Sequence, residues 1–159
     1  MFEAARTGDS TLLLSAVDSG LPVNLTNDKG VSHIPKISIV SFIVWPGNTL
    51  LMLAAYAGHT ELTKGLLDRG ADPNRINDLG QSIIAGAVFK SHNDIVHALM
   101  DKGADPRLGT PNAVQAAYMF ERNDLMAVLG AQESDFKGVP PPISAATPDL
   151  QVSRDSFES

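Results

Sequence analysis

The sequence predicts an all-α solenoid of about four helix-turn-helix units, with the first and last atypical, and three observations carry that reading. Gly70-Ala71-Asp72-Pro73-Asn74 recurs 33 residues later as Gly103-Ala104-Asp105-Pro106-Arg107, and a looser copy, Gly20-Leu21-Pro22-Val23-Asn24, lies 50 residues before the first. The stretch preceding each glycine also recurs, as Gly8-Asp9-Ser10-Thr11-Leu12, Gly58-His59-Thr60-Glu61-Leu62, Ser91-His92-Asn93-Asp94-Ile95 and Glu121-Arg122-Asn123-Asp124-Leu125. Each unit repeats one order of elements: a nearly all-apolar helix, an amphipathic helix and a turn. Such a unit cannot bury both faces alone, so copies must stack.

Local chemistry justifies each element in turn. Thr49 stands before Leu50, Leu51, Leu53, Ala54 and Ala55, an N-cap oxygen followed by a short helix apolar on most sides and therefore buried. After Gly58-His59, the segment from Thr60 to Asp68 places Leu62, Leu66 and Leu67 on one stripe, the pattern of an amphipathic helix. Gly70 falls just past that stripe, where a left-handed C-terminal cap suits glycine. Asp72-Pro73-Asn74 and Asn77-Asp78-Leu79-Gly80 supply turn chemistry.

These residues resemble the ankyrin repeats. The family pattern runs through Asp-x-x-Gly, Thr-Pro-Leu-His, paired alanines, Gly-His, Glu-Val-Val, Leu-Leu and Gly-Ala-Asp-Val-Asn. The best copy here reads Asn27-Asp28-Lys29-Gly30, then Asn48-Thr49-Leu50-Leu51-Met52-Leu53-Ala54-Ala55, then Gly58-His59 and onward to Asn74. The next runs from Asn77 to about Arg107, and the resemblance as a whole covers about Phe2 to Gln132. Leu50 and Met52 replace the Pro and His of the Thr-Pro-Leu-His motif in one copy, Ile83 and Ala85 in the next. The hydroxyl–imidazole bonding the family uses to lock the turn is therefore expected to be thinned. The first unit starts at its helices, without a hairpin or initial cap.

The 50-residue spacing exceeds the 33-residue period by one block, and removing Val31 to Gly47 restores the register by joining Gly30 to Asn48. The domain reading is thus a repeat domain over 1–132, interrupted by an insertion at 31–47. The core of the insertion, Ile37 to Trp45, is β-branched, aromatic and uncharged, the profile of an aggregation-prone strand. Three readings compete: a binding loop presenting Ile39, Phe42, Ile43 and Trp45, a flap folded on its own solenoid, and a short retained intron. The third is favoured, because 17 codons, or 51 nucleotides, is a workable intron length and Pro46-Gly47 can encode a splice acceptor. Residues 133–159, with Pro140-Pro141-Pro142 and a Ser/Asp-rich end, read as an unstructured tail that offsets too little of its ordering entropy by burial. The proline run also matches a polyproline ligand, the less favoured reading.

Composition excludes several functions. Twelve Lys and Arg against eighteen Asp and Glu leave a net charge of −6, which argues against a general nucleic-acid binder or a polybasic membrane-surface role. Without cysteine there is no disulfide scaffold, thiol nucleophile or thiolate zinc site. The start, Met1-Phe2-Glu3-Ala4-Ala5-Arg6, lacks a signal peptide's basic region and apolar core, and no apolar run reaches the roughly 18–20 residues that span a bilayer. The expected location is the cytoplasm, with the nucleus as the other compartment open to it.

Catalytic and metal chemistry finds no motif. His59 and His92 hold one repeat position, roughly 10 Å apart on a helix-packing spacing, too far to share a metal. His92 and His97 are five residues apart rather than four, and His33 stands alone in the insertion. Serines and aspartates fall at caps and turns, and Asp72 and Asp105 are equivalent turn positions rather than a converging dyad. The chain is expected to be no enzyme and to need no cofactor or metal.

The family resemblance implies a protein–protein interaction module with a partner on the concave face, the chain itself being a monomer. Turn tips contribute Asp28, Lys29 and Asn48, then Asp78, Leu79 and Gln81. First-helix ends contribute Arg6, Tyr56, Phe89 with Lys90, and Met119 with Phe120; the rings of Tyr56 and Phe89 are expected side by side. For Phe120 the competing expectation is packing between adjacent repeats. The rival function is a regulatory or accessory ankyrin domain of a larger enzyme or complex. A host-directed secreted protein would normally need the signal peptide that is not seen.

Overall fold

The computed structural model describes residues 1–27 and 47–142. Its helices come in four pairs: α1 (Phe2–Thr7) with α2 (Ser10–Asp18), α3 (Leu50–Ala57) with α4 (Thr60–Asp68), α5 (Ile83–Phe89) with α6 (Asn93–Asp101), and α7 (Ala113–Met119) with α8 (Asn123–Val128). The first helices α1, α3, α5 and α7 stack on one another in an inner layer, while α2, α4 and α6 stack in an outer one. The core lies between the layers, and Leu13, Leu50, Leu66, Ile83, Ile95, Leu99 and Leu125 are wholly inside it. This is the helical solenoid the repeats predict.

The first helices begin as the sequence chemistry requires. Thr49 Oγ1 accepts from the Met52 N–H (3.1 Å), Ser82 Oγ from the Ala85 N–H (3.3 Å), and Asn112 Oδ1 from the Gln115 N–H (2.9 Å). Each satisfies an N–H that the helix itself leaves unpaired. The second helices α4, α6 and α8 have His59, His92 and Arg122 at the same position, and none of these caps its own helix. His59 Nε2 instead lies 2.8 Å from the Arg6 carbonyl oxygen, and His92 Nε2 lies 3.3 Å from that of Tyr56. Each imidazole thus binds the C-terminal end of the preceding pair's first helix.

A second set of links runs along the opposite loops. Asn24 Oδ1 accepts from the Asp72 N–H (2.8 Å), and Asn74 Oδ1 accepts from the Asp105 N–H (2.7 Å) while its amide donates to the Gly103 carbonyl (3.1 Å). At the equivalent position Arg107 donates to the Gly130 carbonyl (2.9 Å) and to Asp135. Both sets join neighbouring units through backbone atoms that either unit alone would leave to water.

The turn before α3 shows where the extra residues enter. The Asn27 N–H donates to the Asn48 carbonyl (3.0 Å), the Gly47 N–H to the Asn27 carbonyl (3.2 Å), and the Asn48 N–H to Asn27 Oδ1 (2.7 Å). The next turn repeats all three bonds with Asn77, Gly80 and Gln81, at 3.1, 2.9 and 3.0 Å. Gly47 (φ 83°) therefore takes the place of Gly80 (φ 76°). The sequence reading had assigned that place to Gly30. Because both candidates are glycine, removing 30–46 or 31–47 leaves the same chain. Val31 to Pro46, and with them Ile39, Phe42, Ile43 and Trp45, lie outside the described residues.

The stack also continues past the expected boundary at Gln132. Residues Glu133–Phe136 form a 3-10 turn against α7, with the Phe136 ring stacked on Tyr118 at 4.5 Å between centroids. One aromatic in a polar stretch has no period to reveal it. Residues 143–159 lie outside the described part.

Two outcomes are expected. Truncating Leu66 or Leu99 to Ala opens a cavity in the shared core and costs about 2–5 kcal/mol in urea unfolding. Excising Val31 to Gly47 leaves Gly30 beside Asn48 to close the turn and removes the uncharged apolar run. That variant is expected to keep its helical circular dichroism, melt higher and stay soluble at higher concentration; a lower melting temperature would make the block a structural element.

Candidate partner-binding face

Every first helix is followed within two residues by one with left-handed backbone: Gly8 (φ 80°), Gly58 (φ 86°), Ser91 (φ 62°) and Glu121 (φ 54°). Glycine at Gly58 serves a second purpose, since a Cβ there would lie 2.8 Å from His92 Cε1. Counting back from these points aligns the inner surface. Two residues before them stand Arg6, Tyr56, Phe89 and Met119, and one residue before stand Thr7, Ala57, Lys90 and Phe120.

The two columns interlock between units. Lys90 Nζ sits 4.7 Å from the centroid of the Tyr56 ring, within cation–π range, and the Phe120 ring meets Phe89 edge-on at 5.3 Å and 72°. Tyr56 and Phe89 are thus not ring partners of each other, contrary to the expected side-by-side pair. Each ring takes its neighbour from the following unit, because the residue just after that unit's first helix reaches back over it. The two rings do line one groove of about 380 Å³ together with Met52, Leu53, Gly86, Met119 and Phe120.

The sequence-selected residues fall in several different places. Tyr56, Phe89 and Met119 line the groove, and Phe89 remains 51% exposed, as a surface residue rather than a core one. Phe120, 37% exposed, both lines the groove and packs on the preceding unit, so the two readings held for it coexist. Asn48, Asn77 and Gln81 close one end of the groove, joined through the Asn77 amide, which donates to Asn48 Oδ1 (3.1 Å) and Gln81 Oε1 (2.9 Å). Asn48 is only 4% exposed and works as a latch of the turn, while Gln81 is exposed. Asp78 and Leu79 are exposed at the turn tip, outside the groove lining; Lys90 is exposed above Tyr56; Asp28 and Lys29 lie outside the described residues. Arg6 is ion-paired with Glu3. The sequence reading did not select Met52, Leu53, Gly86 and Ala116. Leu53, Gly86 and Ala116 are one column, five residues before the left-handed positions, and the repeat alignment could have exposed them.

Elsewhere the charges bind units to one another. Arg69 pairs with Asp18 through two bonds (2.7 and 2.8 Å), Lys102 with Asp68 (2.8 Å), and Arg107 with Asp135 (2.8 Å). Hydrogen bonds from these cations hold the Asp18, Asp68 and Asp135 carboxyls below their ordinary value. Among the described residues, no group of His, Cys, Asp and Glu is placed to hold a metal ion, and no helix is long and apolar enough to cross a membrane.

Paired short helices stacked through His and Asn links define the class as a helical-repeat solenoid. The family model of ankyrin repeats, three copies, matches residues 1–110, and the chain belongs to that family. No curated protein matches the chain. Ankyrin repeats generally bind protein partners and are typically non-catalytic.

The inter-unit carboxylates give stability a pH dependence of known sign. Their folded-state pKa values lie below the ordinary 3.8, so their contribution is present above that value and lost as pH falls from it through the lower folded-state values. The melting temperature is expected to drop as pH is lowered from about 5 to below 3. Asp68→Asn should flatten part of that drop in a pH series of thermal melts.

Proposed function

We propose that the chain is a non-catalytic protein-interaction module, a scaffold that receives a protein partner in the groove on its inner face. The observation that carries this is the cluster of exposed and half-buried aromatic and methionine side chains around one concavity. Phe89, Phe120, Tyr56 and Met119 converge there, although the stack is already closed beneath them. Large rings give much burial for little lost freedom, which is why they dominate binding hot spots. Asp78, Leu79, Gln81 and Lys90 would form a margin that sets orientation and association rate. A monomer in the cytoplasm or nucleus suits such a role.

The test starts from a partner identified by affinity purification. Tyr56→Ala and Phe89→Ala are each expected to weaken binding by about 2 kcal/mol or more, with the thermal melt nearly unchanged. Lys64→Ala, on the exposed side of α4, is expected to change neither. Wild-type affinity in both aromatic variants would place the partner elsewhere. Loss of the fold in both would make the rings part of the core.

A further inference from the structure

We infer that the groove accepts a segment of a partner protein in which an aromatic or leucine side chain stands beside an aspartate or glutamate. The inference rests on the groove being the partner site, and two independent features of the groove lead to it.

The first is the shape of the inner column. Leu53 in α3 is followed at the same position by Gly86 in α5 and Ala116 in α7, and Met52 is followed by Ala85. The large side chains are therefore cut back in the middle of the stack. A Cβ added at Gly86 would lie 3.3 Å from Tyr56 Cδ2, so the ring occupies ground that a side chain at 86 would need. What remains is a trough lined by Ala85, Gly86 and Ala116 together with the larger Met52, Leu53, Tyr56, Phe89, Met119 and Phe120. Walls of that kind suit an apolar side chain, and the volume of about 380 Å³ is in the range of ligand sites.

The second feature is charge. Nine Lys and Arg residues fall within the described part, and seven of them are ion-paired with Asp or Glu. The two that have no ion pair among the described residues are Lys137 and Lys90. Lys90 is the one at the groove, its ammonium resting on the Tyr56 ring. In a chain of net charge −6, a cation with no carboxylate partner among the described residues, beside an apolar trough, favours an incoming acidic group. The ring keeps the ammonium in place, so a partner carboxylate meets a positioned charge instead of a freely moving one. The apolar anchor and the acid must therefore be neighbours in the partner, since Lys90 and the trough share the Tyr56 ring.

The full chain is screened against a random-peptide display library, and enriched peptides are resynthesised for fluorescence anisotropy. Enrichment of an aromatic or leucine next to Asp or Glu is expected. Lys90→Glu is expected to weaken these peptides at least about tenfold, Lys90→Arg to hold within about twofold, and added salt to weaken the wild type and Lys90→Arg but not Lys90→Glu. Gly86→Leu is expected to abolish binding, with Gly86→Ala as the milder variant should the leucine disturb the melt. Enriched peptides without an acid, indifference to Lys90→Glu, or no enrichment at all would overturn the inference. Where Tyr56→Ala and Phe89→Ala weaken the peptides but Lys90→Glu does not, the groove remains the partner site and only its chemistry is wrong. Where neither aromatic variant matters, both readings fall.

Discussion

No helix pair in this chain can close its own core, and the remaining features follow from that constraint. Leu50, Leu51, Met52, Leu53, Ala54 and Ala55 are all buried, although α3 has only eight residues. A helix so covered needs neighbours on several sides, and it has α1, α4 and α5 against it. The polar groups obey the same demand. His59 and His92 stand where they could cap their own helices, yet they bind the carbonyls of the preceding unit. Local helix stability is exchanged for a link between units, a trade that is favourable only in a stack.

The links change character at the last junction. Earlier units use an imidazole at one position and an amide at the other; the last uses Arg122 and Arg107. Arg122 also fits the changed helix ends, because Ser91 replaces glycine and its hydroxyl accepts from the guanidinium at 2.5 Å. Arg107 reaches Gly130 and then Asp135 in the closing turn, where Phe136 covers Tyr118. A guanidinium offers several donors in a planar fork, so one side chain can hold a loop and a turn together. The short final pair, with a six-residue α8, is tied down by these contacts more than by a full outer layer.

The inner surface is released from that work. Burial, caps and links are complete without the outermost atoms of Tyr56, Phe89, Lys90 and Phe120, so these positions can differ from unit to unit without loosening the stack. The alternation of Leu53, Gly86 and Ala116 is the clearest case: one position, three sizes, and a trough where the smallest falls. Recognition in this fold is therefore a pattern of departures from the repeat, written on a surface whose backbone the repeat has already placed.

The same division explains what could be read from the sequence. Helix pairs, caps at Thr49 and the left-handed glycines were legible, since each is decided by residues within one unit. Asn48 was legible as a turn residue but not as a buried one, because its exposure depends on the Asn77 amide arriving from the next turn. Gly47 and Gly30 could not be told apart by residue type, and only the bonds to Asn27 separate them. The neighbours of Tyr56 and Phe89 were misjudged for a related reason. Sequence alignment places equivalent residues side by side, whereas stacking offsets each unit enough for Lys90 to reach Tyr56 and Phe120 to reach Phe89. A period in sequence fixes which positions correspond; the displacement between successive units decides which of them touch, and the face that meets a partner is built from those contacts.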